Sequence, residues 1–600
     1  MLDDDTAPVL GVSRSAGNRR WEWRDPRLAE ADNRLVLKLA QQAAIPELLA
    51  RILAARGVVL PQEAASFLDP RLRDAMPDPS CLQDMDRAAE RLAQAVRNQE
   101  HVGLFGDYDV DGACGTALVC HTLREFGCTV KTHIPDRITE GYGPNTAALE
   151  KLVSEGATLL VCIDCGTAAI DILNGAADQT DIIVLDHHKP DGAALPNTIT
   201  VNPNRLDCTS GLGDLCATAV AFLTMVATLR VLRREGWFTD GRTPPDLLKR
   251  LDLTALATIC DVMPLTGLNR ALVMQGLRVM SRGERLGLAT LSSVAGVKDD
   301  ASAMSCGFAL GPRINAGGRI AKADLGLRLL LSDDVVEARA LAEELDRVNR
   351  QRQTVESTIL DVAMQQAEQQ LEASHGVIFL HGESWHPGVV GIVAGRLKER
   401  FNRPALVGAL TDGIIKGSGR SVPGIDLGTA IIAARQAGLL LTGGGHAMAA
   451  GFSLAAERAD DFHAWLDERL ADARALPPQE ALRLDGIMTL RGASVEVAEQ
   501  LSRLEPFGPG NPEPVLAVSN VRCVKSDRIG KDGNTLRVLL QGEDGGTRLK
   551  GLIFRAADKP FAALLEDRTM PLLHVAGTLR AETWQERKSL TFFISDAASA

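Results

Sequence analysis

Two hydrophobic periodicities divide the chain. Between about residues 100 and 200, short apolar runs (VGLF, TVKTHI, TLLVCI, DIIVL) alternate with helical segments such as GTALVCHTLREFG and NTAALEKLVSEG. Strands separated by helices of this length predict βαβ units and a mostly parallel sheet. Residues 1–80 read as mostly helical after a polar start, with PELLARILAARG and PQEAASFLDP joined by short turns. A helical region follows the sheet, from about 214 to 290. Residues 333–374 contain no Pro or Gly and keep apolar residues at helical spacing, which predicts one long connecting helix with at most one interruption. A second α/β region begins at HGVIFLHG and ends near GGGHAMAAGFSL, with a helix to about 475. PPQEALRLDG reads as a linker. Beyond it, VLAVSNVRCV, TLRVLL, RLKGLIF, PLLHVAGTLR and SLTFFISDA are β-like runs separated by Gly and Asp turns, and predict a small barrel with an OB-fold as first candidate. The expected fold is therefore α/β in class. It comprises an N-terminal helical segment (1–80), a domain with a mostly parallel sheet (81–332), the connecting helix (333–374), a second α/β domain (375–475) and a C-terminal OB-fold β-barrel (476–600).

Length and composition bound this picture. A chain of 600 residues exceeds one ordinary core and predicts roughly three to five domains. Hydrophobic content of 45% with 24% charged residues is that of a soluble globular protein. No uncharged apolar run of about 18 residues appears, so no membrane association is expected. The start, MLDDDTAPVL, lacks a basic segment followed by an apolar one, so a secretory signal is not expected either. Eleven cysteines, an odd number scattered from Cys81 to Cys523, suit a reducing cytoplasm. Cys162 and Cys165 in VCIDCG have no second Cys/His pair at finger spacing, which argues against zinc or redox use. A net charge of −12 opposes binding of a polyanion only on average. Residues 384–420 carry Arg396, Lys398, Arg400, Arg403, Lys416 and Arg420 against Glu399 and Asp412, and residues 521–551 form a second basic stretch that includes Lys531. Such clusters are more often solvated faces than binding surfaces, so they only keep nucleic acid open.

The candidate chemistry lies at the ends of the apolar runs. VGLFGDYDVDG places Asp107, Asp109 and Asp111 at i, i+2 and i+4, which in an extended backbone sets three carboxylates on one side. Gly112 then lets the chain turn into a helix. TLLVCIDCG ends at Asp164, DIIVLDHHKP at Asp186, His187 and His188, and Asp261 follows the apolar helix ALATIC. In an open parallel sheet, groups at the carboxyl ends of strands meet in one crevice. An exposed turn Asp is the ordinary reading of any one of these acids, but not of four repeats together. Clustered carboxylates cannot all stay ionised unaided. Oxygen ligands with one or two imidazoles favour Mn²⁺ or Mg²⁺, with enough ligands for two ions about 3.5–4 Å apart. The reaction class implied is hydrolysis of a phosphate ester or anhydride. Adjacent side chains on a strand face opposite ways, so the chain must leave the strand at LDHHK for both rings to serve one site. One ring, assigned to His187, would ligate metal while Asp186 or a backbone carbonyl fixes its tautomer. The other, His188, would meet the scissile phosphate as donor or general acid, and the reverse assignment is also open.

In the second α/β region, KGSGRS reads as a glycine-flanked turn whose backbone N–H groups, Ser418 and Ser421 hydroxyls and Arg420 guanidinium suit a terminal phosphate. His446 follows three glycines, so backbone can approach a ligand there; a satisfied core histidine is nearly as frequent an outcome. Aromatics make up only 4% of the chain, leaving Trp385, Tyr142 and Phe507 as candidates for base stacking.

With GDYDVDG, IDCG, LDHHKP and CDVMPL in this order, the sequence resembles the DHH phosphoesterase superfamily. GPRINAGGRI, WHPGVVGIVAGRL, KGSGRSVPGIDL, GGGHAMAAGF and PFGPGNPEP resemble motifs of its RecJ-type single-strand-specific exonucleases, over about residues 50–600. The chain departs from the pattern at Cys114 and in an extended polar N-terminus. The resemblance implies a DHH catalytic domain, a long helix, a DHHA1-type domain and an OB-fold. It implies a two-metal 5′→3′ exonuclease that hydrolyses single-stranded DNA to mononucleotides in recombination and repair, with Mn²⁺ or Mg²⁺. It places Asp107, Asp109, Asp111, Asp164, His187 and Asp261 on metal positions, and makes His188, with Asp109 and Asp111, the catalytic set. It puts Ser418 and Arg420 on the 5′-phosphate, Arg313 or Arg319 on the strand, and His386 and His446 among the substrate contacts. It further implies a cytoplasmic monomer working with a helicase and a single-strand-binding protein. Two other readings fit less well. A small DHH phosphodiesterase or pyrophosphatase needs neither the long helix nor the barrel, and a metal-dead scaffold requires lost ligands.

Overall fold

A computed structural model describes residues 7–29, 33–137, 139–190, 192, 194–477, 481–530, 533–584 and 587–600; Lys531 of the second basic stretch lies outside them. The chain forms two compact units. One holds residues 70–354 and 506–512; the other holds 1–69, 355–505 and 513–600. Among the described residues no helix is long and apolar enough to cross a membrane.

The first unit is built on β1 (His101–Gly106), β2 (Thr129–His133), β3 (Leu159–Ile163), β4 (Asp181–Leu185) and β5 (Ile199–Val201). Their order is β2-β1-β3-β4-β5, and every pairing is parallel. β3, LLVCI, is buried along its whole length, the continuous apolar run expected of a strand covered on both faces. The chain goes from β1 outward to β2 and then returns to the other side of β1, so the strand order reverses between β1 and β3. A crevice opens at the carboxyl ends of the strands at such a point. Behind it, α1 (Val110–Glu125), α2 (Ala217–Arg234) and α3 (Leu251–Cys260) bury Leu118, Phe222 and Leu256 in one core.

The second unit carries a mixed sheet of β6 (Ile378–Gly382), β7 (Ala405–Thr411), β8 (Ile414–Arg420), β9 (Thr442–His446) and β10 (Ala449–Ala455), ordered β9-β10-β8-β7-β6. Only β6 and β7 pair in parallel. The helix α4 (Val335–Glu372) runs 38 residues without interruption. Its Ala338, Leu341, Ala342 and Leu345 belong to the core of the first unit, and its Ile359, Ala363 and Ala367 to a core of the second. Both sets keep the spacing of one helical face. Toward the C-terminus, β11 (Leu516–Ile529), β12 (Thr535–Gly542), β13 (Arg548–Phe554), β14 (Leu573–Trp584) and β15 (Arg587–Ser599) follow one another. Pairing runs β11-β12-β13 antiparallel, β13-β15 parallel, β15-β14 antiparallel and from β14 back to β11. That circuit is the strand order of an OB-fold.

Two stretches differ from expectation. Trp21–Trp23, inside a segment read as helical, pairs in parallel with Leu482–Leu484, inside the segment read as a linker. Trp21 is fully buried and its indole N–H donates to Asp596 Oδ2 at 2.9 Å. Three-residue strands are too short for an alternating pattern to register. The motif PFGPGN belongs with the first unit: the Leu265 N–H donates to the Pro509 carbonyl at 2.7 Å, and a Cβ at Gly510 would lie 3.0 Å from Thr266 Cγ2.

Candidate active site

The acids at the strand ends sit one residue beyond their strands, with their N–H groups still on the sheet ladder. Asp107 donates to the Ile163 carbonyl (3.2 Å), Asp164 to Leu185 (2.9 Å) and Asp186 to Val201 (3.1 Å). This continued pairing levels the three carboxylates across the crevice. The first motif is not the extended segment its spacing suggested. Asp109 is the N-cap of α1, accepting from the N–H groups of Asp111 (2.9 Å) and Gly112 (3.1 Å), and Asp111 already lies in the helix. A strand-to-helix turn thus brings the acids together, and the helix starts before Gly112. Gly112 is needed for another reason: a Cβ there would lie 2.4–2.7 Å from the Asp107 backbone. The Asp111 carboxylate accepts from the N–H groups of Ala217 (2.7 Å) and Thr218 (2.8 Å), the positive end of α2.

His187 stands among the carboxylates. Its Nε2 lies 3.4 Å from Asp164 Oδ1, 3.5 Å from Asp261 Oδ2 and 3.9 Å from Asp111 Oδ2. Three overlapping groups bring potential ligand atoms within 4.8 Å of one another: Asp111, His187 and Asp261; Asp164, His187 and His188; Asp107, Asp109 and Asp164. Asp164, with a left-handed φ of +62°, is shared by two of them. Asp107 Oδ1, Asp164 Oδ1 and Asp261 Oδ2 are buried without a hydrogen-bond donor. Burial, and next the neighbouring carboxylates, push Asp107, Asp109 and Asp164 above the usual carboxylate range and Asp261 up to about 8. Burial pulls His187 down, which favours the neutral ring that ligates metal. Orphaned carboxylate oxygens around one neutral imidazole fit hard divalent cations such as Mn²⁺ or Mg²⁺. No cysteine joins these groups among the described residues, and Cys162 and Cys165 are free thiols in the core.

Asp186 orients His188 rather than His187. Its Oδ1 accepts from His188 Nδ1 (2.8 Å) and from the N–H groups of His187 (2.8 Å) and His188 (3.1 Å), and its Oδ2 from the Thr167 N–H (3.0 Å). Burial disfavours the His188 cation, but the hydrogen bond and charge of Asp186 override it and raise His188 to about 9. His188 therefore carries a proton at neutral pH. The Tyr142 hydroxyl lies 3.2 Å from His188 Nδ1 and donates to the Asp164 carbonyl at 3.2 Å. Asn202 Nδ2 donates to the His188 carbonyl (2.8 Å) and Asn204 Nδ2 to that of His187 (2.6 Å), which holds the two-histidine bend off the strand. Asn202, Asn204 and Thr167 escaped the sequence reading, as did Asn315, whose Oδ1 accepts from the Val110 N–H (3.1 Å). NPN, directly after β5, was the available signal for the two asparagines Asn202 and Asn204.

In the second unit, KGSGR of this motif lies in strand β8 and not in a turn, and Ser421 follows the strand. Its residues pair with both β7 and β10, so its backbone is committed to the sheet and offers no N–H cradle. Lys416, Ser418 and Arg420 alternate onto one face. On the other, a Cβ at Gly417 or Gly419 would meet Phe452 at 2.3 Å or Leu427 at 2.6 Å. A Cβ at Gly391, in the first turn of α5 (Val390–Phe401), would lie 3.3 Å from both Ser418 Oγ and Arg420 Nη2, so a helix N-terminus adjoins these two side chains. Ser421 is instead buried, donating to the Ile425 carbonyl at 2.7 Å. His386 Nδ1 accepts from the Gly388 N–H at 3.0 Å, and His446 is exposed at the end of β9, which removes its core alternative. Arg313 is engaged by Asp346 (2.9 Å) and the Ala309 carbonyl (2.7 Å), a structural role. Arg319 follows Gly318, whose Cβ would lie 2.7 Å from the Tyr108 carbonyl, so it stands beside the first acidic motif. Trp385 is buried and cannot stack on a base, Phe507 is half-buried, and Tyr142 is exposed.

A parallel sheet with this acidic and imidazole cluster at its carboxyl ends defines a DHH phosphoesterase. Residues 101–257 match the DHH family N-terminal domain, 374–472 the DHHA1 domain and 484–596 the RecJ OB domain. Single-stranded-DNA-specific exonuclease RecJ of Escherichia coli (strain K12) is 34% identical over 574 residues, covering 92% of this chain and 96% of that protein. The RecJ of Bacillus subtilis (strain 168) is 35% identical over 595 residues, covering 97% of this chain and 71% of its own. The crystal structure of RecJ in complex with Mn²⁺ from Thermus thermophilus superposes with a TM-score of 0.78 at 30% identity, over 94% of this chain and 78% of that one. The chain belongs to the RecJ family of single-stranded-DNA-specific exonucleases.

Proposed function

We propose that the protein is a 5′→3′ exonuclease that hydrolyses single-stranded DNA to mononucleotides with two Mn²⁺ or Mg²⁺ ions. The observation that carries this reading is the set of orphaned carboxylate oxygens of Asp107, Asp164 and Asp261 gathered around His187. Asp107, Asp109, Asp111, Asp164, His187 and Asp261 hold the ions, which would lower the pKa of water and offset charge on the phosphoryl group. Asp109 and Asp111 also fix the turn that aligns the site. His188, protonated through Asp186, donates a proton or hydrogen bond at the scissile phosphate. Ser418 and Arg420 hold the 5′-phosphate at the α5 N-terminus, with His386 and His446 as further contacts; of the two candidate arginines, Arg319 and not Arg313 reaches the strand. The protein acts as a cytoplasmic monomer in recombination and repair, taking strands opened by a helicase and coated by a single-strand-binding protein. Single strands labelled at either end, incubated with and without Mn²⁺, test the reading. Metal-dependent release of the 5′ label as mononucleotide is expected; equal attack on both ends would remove the polarity.

A further inference from the structure

In the second unit a cavity of about 520 Å³ is lined by Asn18, His375, Arg400, Phe401, Arg403 and Arg474, among others. Its charge is unbalanced. The neighbouring acid, Asp467, is already saturated, accepting from the N–H groups of Gly376 (2.6 Å) and Val377 (3.1 Å), from His375 Nδ1 (3.2 Å) and from Arg474 Nη2 (2.5 Å). It neutralises one guanidinium of three. Among the described residues neither Arg400 nor Arg403 has a carboxylate partner. Arg403 is half-buried and pinned by its own Nη1 to the Asn402 carbonyl (2.9 Å) and the Pro477 carbonyl (3.4 Å), which leaves its other N–H groups free for a ligand. Burial already presses this guanidinium toward its neutral form. A partly desolvated cation without a counter-charge is unfavourable, and an anion relieves it. The planar guanidinium fork matches phosphate oxygens, the Phe401 ring supplies an apolar wall, and the volume lies in the range of small-ligand sites.

We propose that this cavity is a second phosphate-binding site, separate from the Ser418–Arg420 cradle, that takes a phosphate-bearing nucleotide: either a free 5′-mononucleotide or one unit of a single strand. The inference does not depend on the polarity or chemistry proposed for the acidic crevice. Calorimetric titration of the full chain in EDTA tests it, with Arg420→Ala introduced to disable the other cradle. The probes are deoxyadenosine 5′-monophosphate and a 5′-hydroxyl oligothymidylate. If reversing Arg400 and Arg403 weakens the mononucleotide alone, the cavity is a product site; if it weakens both probes, the cavity is a strand contact. Adding Arg400→Glu with Arg403→Glu should weaken the binding at least tenfold, and the exposed Arg400→Gln alone, which carries little folding risk, several-fold. In the otherwise native chain the paired reversal should leave cleavage of short strands unchanged. No binding of either probe, or binding unaltered by the reversals, overturns the proposal.

Discussion

Replacing Asp261 by Asn should stabilise the metal-free protein while abolishing its response to metal. The Asp261 side chain is 25% exposed and faces His187, and burial with the Asp111 and Asp109 charges raises it from 3.8 to about 8. The folded chain therefore keeps a proton there that the unfolded chain loses above its ordinary carboxylate range. Stability from this group is full below about pH 4 and falls as pH rises to about 8. At pH 7 the gap of about 3.2 units, at 1.36 kcal/mol each, sets a ceiling of about 4 kcal/mol. Partial exposure and proton sharing with the other carboxylates reduce this to about 2–3 kcal/mol. For a unit of this size that is roughly 3–5 °C in melting temperature. Thermal melts in EDTA from pH 5 to pH 8 measure it. The variant should exceed the native chain by several degrees at pH 7.5, by much less at pH 5, and should lose the shift that Mn²⁺ gives the native protein. An unchanged or lowered melting temperature at pH 7.5 would refute the argument that unneutralised carboxylates strain this crevice.

Gly112→Ala places a methyl against backbone that cannot yield and should cost about 2–4 kcal/mol, read as a lowered melting temperature; a native melt would remove the close-packing argument. Asp186→Asn should drop the His188 pKa by roughly 1–2 units in a nuclear magnetic resonance titration in EDTA, because the carboxylate that stabilises the cation is gone. Arg319→Ala should raise KM for single strands several-fold. Arg313→Ala should instead lower the melting temperature, since Asp346 loses a partner; the opposite pattern would exchange their roles.

The sheet around the crevice was legible because a doubly covered parallel strand leaves a continuous apolar run, and an acid directly after it stands out. The long helix was equally visible, since nothing in residues 335–372 breaks its spacing. What the sequence hid was tertiary. The i, i+2, i+4 acids suggested an extended segment, whereas the N-cap at Asp109 starts a helix that only its hydrogen bonds reveal. KGSGRS looked like a turn because glycines favour turns, yet Gly417 and Gly419 serve close packing under a central strand. Arg313 and Trp385 carry residue types suited to nucleic acid but are claimed by an ion pair and a core. Asp186 or a backbone carbonyl was expected behind the ligating ring, assigned to His187 with the reverse left open; the Asp186 carboxylate instead meets the ring of His188.

The central claim is that the acidic crevice is the metal centre that cleaves the strand. Asp164, shared between two ligand groups, is its most exposed point of test. Mononucleotide release from a 5′-phosphorylated single strand should be measured for Asp164→Asn in saturating Mn²⁺, beside calorimetric titration of the metal. The account predicts loss of turnover by about a thousandfold or more, with weakened Mn²⁺ binding. Native turnover with native metal affinity in a folded Asp164→Asn chain would contradict it.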